Sequence, residues 1–280
     1  MRKIHVSEVT KAIAELCQKA NFDLPADVLE KIKESFLKEE SNLAKEILCD
    51  IMENASIAKD ERIPICQDTG TAVIFAKVGQ DIYFQGGSLE AAIQEGVRQG
   101  YGEGYLRKSI VSDPLIRRNT GDNTPAIIHY EIVEGDKLEL TVAPKGGGSE
   151  NMSGVRMLTP SQGREGVIEA VVDRVKKAGS NPCPPLIIGV GIGGNFETCA
   201  LLAKKALLRE VGTYHPEEHI RTLERDILKR VNELGIGPQG LGGCTTALDV
   251  HIETAPTHIA SLPVGINLGC HVSRHKKVIL

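Results

Sequence analysis

The sequence predicts a mixed α/β fold, an α+β arrangement in which a helical N-terminal layer is followed by mixed sheets with flanking helices. Three observations predict it: a helical repeat of apolar residues through the first sixty positions, a change to short β-branched runs after residue 70, and amphipathic segments returning after residue 160.

Val9, Ile13, Leu16 and Cys17 recur at helical spacing behind Ser7, a candidate N-cap, and Leu29, Ile32, Phe36, Leu43, Ile47 and Ile51 continue the period. Pro25 suits the first turn of a helix. Residues 1–60 are therefore expected to be helical. AVIFAKVG and DIYF read as strands, SLEAAIQEGVRQGY as a helix opened by Ser88, and AIIHYEIVEGDKLELTVAP as a β-hairpin turning at Glu134 to Lys137. SQGREGVIEAVVDRVKKAG reads as a helix stopped by Gly179, PLIIGVGIGG as a buried strand, and NFETCALLAKKALLREV as the helix it feeds. PEEHIRTLERDILKRVNELG is a helix with one polar face, and the last forty residues read as Gly-rich loops and short strands. No repeat, linker or low-complexity stretch divides the chain, so residues 1–280 are expected to form a single domain.

With 41% hydrophobic and 25% charged residues, the 280-residue chain has the composition of a soluble globular protein. A net charge of -4 supplies no basic field for nucleic acid, and 4% aromatic residues without Trp supply no platform for stacked bases. An anionic ligand would have to be small and held by a few local cations. No export signal or membrane span is expected, and seven cysteines, an odd number, point to reduced thiols and a cytoplasmic location.

ICQDTGTA at 65–72 places a thiol, an amide, a carboxylate and a hydroxyl at the mouth of a strand, where packing alone would not require them. Cys66 in that string, Cys183 in NPCPP and Cys270 in NLGCHVSRH all lie in tight or Pro-bounded loops, far apart in sequence. Their spacing matches none of the local CxxC pairs of zinc or ferredoxin sites. Cys17, Cys49 and Cys199 fall on apolar helical stripes and read as core filler, and Cys244 lies in a loop. GVGIGG imitates a dinucleotide fingerprint, but its spacing is wrong and no acidic residue follows at the required distance. KGGGS at 145–149 could form a backbone nest for a carboxylate. Read singly, His258 is a half-buried structural histidine, and Arg107, Arg117 and Arg118 are mostly solvated cations.

Taken together and in order, ICQDTGTA, RKS, NTGDNTPA, KGGGSENMS, NPCPPLIIGVGIGG, GPQGLGG and APTHIASLPVGINLGC give the chain a resemblance, over nearly its whole length. It resembles the alpha subunit of two-subunit, iron-sulfur-dependent class I fumarate hydratases and, less closely, that of L-tartrate dehydratase. The resemblance implies that Cys66, Cys183 and Cys270 ligate a [4Fe-4S] cluster with one open iron. It also implies that Gln67, Asp68, Arg107 and Gly147 meet the substrate, and that Asp68 pairs with His258 for proton transfer. Arg107 would clamp a substrate carboxylate through its planar guanidinium. The chain ends ten residues beyond Cys270, and the resemblance implies that a separate beta subunit supplies the remaining cations and the C3 base, in an α2β2 heteromer. The expected reaction is reversible hydration of fumarate to (S)-malate. Two other classes stay in view: a nucleotide-dependent oxidoreductase using GVGIGG, and an interaction subunit whose cysteines hold zinc.

Overall fold

A computed structural model describes residues 1–280. The chain divides into two compact units: one holds Met1–Leu24, Asn54–Gly147 and Arg274–Leu280, the other Pro25–Glu53 and Gly148–Ser273. Neither unit is contiguous, which is why no linker marks them in the sequence.

The first unit opens with β1 (Arg2–His5), a strand inside the stretch expected to be helical, and β1 pairs in parallel with β3 (Ile82–Gln85). α1 (Val6–Phe22) then starts directly behind it. His5, not Ser7, is its cap: the Ser7 N–H donates to His5 Nδ1, and the His5 N–H donates to the Glu8 carboxylate. α4 (Leu89–Glu103) opens as expected at Ser88, whose hydroxyl accepts from the Ala91 N–H at 3.2 Å.

β2 (Thr71–Gly79), β4 (Ile127–Val133), β5 (Leu138–Lys145) and β10 (Lys276–Ile279) form a sheet in the order β10-β5-β2-β4. The expected hairpin is not formed. β2 lies between its two strands, parallel to β4 and antiparallel to β5. β2 is buried on both faces and so takes a central position, whereas β4 is mostly exposed and stays at the edge. The Glu134–Lys137 turn wraps over the end of β2, where Gly79, Gln80 and Asp81 donate to the carbonyls of Lys137, Val133 and Gly135. α1 and α4 cover one sheet face, with Ile13, Ile74, Ile93 and Leu140 fully buried among them.

The second unit is built on a sheet ordered β6-β9-β7-β8, from β6 (Gly154–Leu158), β7 (Leu186–Gly194), β8 (Ala247–Thr257) and β9 (Leu262–Gly269). β8 is 11 residues long, so the chain's C-terminal stretch is not limited to short strands. α6 (Gly163–Ala178), stopped at Gly179 with φ 55, and α8 (Glu218–Asn232) pack Val171, Ile220 and Ile227 against Ile188, Ile252 and Ile266. α7 (Phe196–Ala206) is capped by Asn195 and lies close on the sheet. A Cβ at Gly189, Gly191 or Gly265 would collide with α7 backbone at Ala203 or Cys199, so the first two glycines of GVGIGG, with Gly265 on β9, seat a helix.

α2 (Ala26–Lys38) also belongs to this unit, with Pro25 as its N-cap residue and not its first helical residue. α3 (Asn42–Glu61) contributes residues to both units, and the short α5 (Gly147–Asn151) follows β5. Cys17 and Cys199 are buried as expected, and burial pushes the Cys17 thiol up to about 12. Cys49 is exposed instead, because the buried stripe of α3 runs through Ala44, Leu48, Ile51 and Ala55 and passes beside it. No helix is long and apolar enough to cross a membrane.

Candidate active site

The Cys66–Gly70 loop, directly ahead of β2, is fastened by buried side chains that sequence reasoning did not single out. Tyr101 on α4, fully buried, donates its hydroxyl to the Thr69 carbonyl at 2.9 Å and lies 3.1 Å from that of Gly70. Asn123 Nδ2, also fully buried, donates to the Gly70 carbonyl at 3.1 Å. Arg274 Nη2 donates to the Asp68 carbonyl at 2.7 Å. Every main-chain carbonyl from Asp68 to Gly70 is thus held from inside the unit, and the side chains of Gln67 and Asp68 are set by a loop with little freedom.

The Asp68 carboxylate is held as firmly. Oδ1 accepts the Gly70 N–H at 3.1 Å, and Oδ2 accepts the Gly147 N–H at 2.8 Å. The carboxylate in the KGGGS nest is therefore the chain's own Asp68. Each oxygen keeps a second lone pair for a proton or a ligand. The Asp68 N–H points to Cys66 Sγ at 3.4 Å, and the Cys66 thiol donates to Gln67 Oε1 at 3.3 Å. Thr69 Oγ1 donates to the Arg107 carbonyl at 3.1 Å, which anchors the backbone of Arg107 while its residue stays exposed. Arg117 and Arg118 are exposed as the solvated-cation reading expects. The structure brings Cys66, Gln67, Asp68, Gly147 and the Arg107 main chain together in the first unit.

Cys183 and Cys270 come together in the second. Cys183 precedes β7 and Cys270 follows β9, and these strands pair antiparallel with Ile187 opposite Gly269. The two loops touch: the His271 N–H donates to the Cys183 carbonyl at 3.3 Å, and His271 Nδ1 lies 3.0 Å from the same oxygen. Gln239 braces this pair. Its backbone N–H and side-chain amide both donate to the Pro184 carbonyl, at 2.8 and 3.0 Å, and its Nε2 lies 3.1 Å from His271 Nδ1. Cys183 has φ 56 and Gln239 φ 53, left-handed conformations that non-glycine residues seldom adopt and that functional loops often store.

His258 is elsewhere. It is exposed in the turn between β8 and β9, next to Thr257, which pairs with Gly194 at the far end of β7. Seven residue steps along β7 separate that end from Ile187, about 23 Å at the usual rise. The Ala260 N–H donates to His258 Nδ1 at 3.1 Å, so the neutral ring carries its proton on Nε2.

The donor chemistry fits an iron-sulfur cluster. Loop thiols are the soft ligands such clusters take: in the second unit Cys183 and Cys270 lie on adjoining loops, and in the first the Asp68 N–H points at Cys66 Sγ. No group of three or more His, Cys, Asp or Glu side chains is gathered for a single metal ion. A cluster takes its thiolates on separate irons.

The sequence profile described as fumarate hydratase (Fumerase) matches residues 10–279. A protein of Methanocaldococcus jannaschii, named provisionally as an L(+)-tartrate dehydratase subunit alpha, is 42% identical over 273 residues, 95% of each chain. An Escherichia coli protein named L(+)-tartrate dehydratase subunit alpha is 33% identical over 278 residues, 98% of this chain and 91% of that one. By these matches, the chain is an enzyme of the hydro-lyase class. It belongs to the fumarate hydratase (Fumerase) family.

Proposed function

We propose that this chain is the alpha subunit of an iron-sulfur hydro-lyase that interconverts fumarate and (S)-malate together with a beta subunit. The observation that carries the reading is the meeting of the Cys183 and Cys270 loops, two thiols remote in sequence, through the His271 N–H and the Cys183 carbonyl. Cys66, Cys183 and Cys270 would hold a [4Fe-4S] cluster. When bound, it would supply a Lewis-acid iron with an open position, at which a substrate hydroxyl becomes a better leaving group.

The chain's own residues then bind and move a proton. Arg107 presents a planar fork of donors that suits a substrate carboxylate, and Gln67 offers an amide to the same ligand. Asp68, pre-set by the Gly70 and Gly147 N–H groups, holds the proton that leaves with the departing oxygen as water. His258 is the expected second member of that proton pair. Because it stands at the opposite end of the sheet from Cys183 and Cys270, a second copy of the chain would contribute it. The base that removes the C3 proton belongs to the beta subunit in this reading, and α2β2 is the assembly that accommodates both contributions.

A second reading is dehydration of L-tartrate, favoured by the names that the M. jannaschii and E. coli relatives carry. Anaerobic co-expression with a beta subunit, followed by assays with malate, fumarate and L-tartrate, separates the two. The first reading expects the highest kcat/KM with malate and fumarate. A preference for tartrate replaces it with the second, and an anaerobic preparation free of iron and sulfide overturns both.

A further inference from the structure

GPQGLGG at 237–243 supplies no group to the reaction proposed above, yet it is built as firmly as the loops that do. The Gly237 N–H donates at 3.2 Å to Oγ1 of Thr246, a fully buried residue directly ahead of β8, and the Gly242 N–H donates to the Ile236 carbonyl at 2.9 Å. Gly240 lies against the turn that carries Cys183: an added Cβ would stand 2.3 Å from the Cβ of Ser180, whose carbonyl accepts the Cys183 N–H at 3.0 Å. The motif therefore packs directly on that turn.

Within Gly235–Gly243 six residues have positive φ; five are glycines, and the sixth is Gln239, at φ 53 and ψ 14. A glycine would hold the same backbone without strain, so the Gln239 side chain has to contribute something that offsets it. What it contributes is a link between two turns. The Pro184 carbonyl accepts both the Gln239 backbone N–H at 2.8 Å and Nε2 at 3.0 Å. A carbonyl only accepts, so the amide is fixed with its NH2 toward Pro184, and its second hydrogen is left for His271 Nδ1 at 3.1 Å. Pro184 adjoins Cys183 and His271 adjoins Cys270. The bond from the backbone N–H would survive a change of side chain, whereas the link to His271 would not.

We propose that Gln239 is a positioning residue for the iron-sulfur cluster: its amide bonds to neither thiol but fixes the Cys183 and Cys270 turns at the separation in which both sulfurs can ligate. The inference rests on the cluster reading given above. Groups that orient metal ligands from behind commonly change metal affinity by about 10–100-fold when they are removed.

Gln239→Gly takes away the side chain and relieves the backbone, so the metal-free chain should melt no lower than wild type. Loaded anaerobically, the same variant should release iron to an excess of a ferrous chelator about tenfold faster or more. Gln239→Met, which keeps the length without the amide, should release it equally fast. His271→Ala should also speed release, and adding Gln239→Gly to it should change the rate little further, because both remove one link. Melting of the metal-free Gln239→Gly chain that falls in step with faster release, release at the wild-type rate, or full additivity with His271→Ala would each overturn the proposal while leaving the cluster reading in place. A wild-type anaerobic preparation without iron and sulfide would overturn both.

Discussion

Arg274 reaches the main-chain carbonyl of Asp68 at 2.7 Å, although its own residue is only 5% exposed and its Nε and Nη1 have no hydrogen-bond partner. A buried guanidinium with idle donors is costly unless an anion compensates it. It lies four residues after one proposed cluster ligand and bonds a residue two positions after another. A thiolate-held cluster would supply the missing negative charge.

Arg274→Met should therefore separate two stabilities. The metal-free chain should melt no lower than wild type, because an uncompensated buried charge has been removed. The anaerobically loaded protein should lose iron faster during gel filtration. If Arg274 were only a strut for the loop, both measurements would fall together.

Asp68→Asn tests the carboxylate directly. Gly70 and Gly147 both donate to Asp68, so an amide NH2 in that place faces an N–H and cannot satisfy both. Loss of the proton-holding group should lower kcat by about 10²-fold or more. Iron content should stay at the wild-type level, since Asp68 is not among the proposed ligands. A variant that keeps its activity would remove Asp68 from the proton transfer.

The three thiols make a sharper set. Anaerobic wild-type protein should contain iron and sulfide in about equal amounts. Cys66→Ser, Cys183→Ser and Cys270→Ser should each lose most of it, while Cys17→Ser, changed in the core of the first unit, should retain it. Equal retention in all four would mean that the cluster is held by other residues.

Much of this architecture was legible because it is local. The helical period of Val9 to Cys17, the Ser88 cap and the Gly179 stop depend on neighbours a few residues away, and the structure realises them. Pairing is not local. β4 and β5 are joined by a short turn and look like a hairpin, yet β2 enters between them because it is the more apolar strand. The site divides in the same way. Loop thiols beside Pro and Gly announce themselves, while Arg274, Tyr101 and Asn123 act on a loop distant in sequence and carry no local signature. His258 reads as an equal of Asp68 in the string of motifs, but strand topology sets it at the wrong end of its sheet for Cys183 and Cys270.

Glu39 and Cys244 give a pH-dependent test within the second unit. Glu39 is 3% exposed; its carboxylate accepts the Cys244 N–H at 3.1 and 3.0 Å from its two oxygens, and the Cys244 thiol at 3.3 Å. Burial pulls the Glu39 pKa up, but the N–H groups of Cys244, Ser41 and Glu40 and the thiol more than offset this and hold it below its ordinary 4.5. Its stabilising contribution is therefore complete above about 4.5 and fades as pH falls through the lower folded value. Glu39→Gln should cost about 1–3 kcal/mol in urea melts at pH 7, with the gap to wild type narrowing below pH 4. Burial and then the nearby carboxylate push the Cys244 thiol upward, so at pH 8 iodoacetamide should alkylate it faster in the Gln variant. Unchanged alkylation together with an unchanged urea midpoint would show that this contact holds neither the loop nor the thiol's proton.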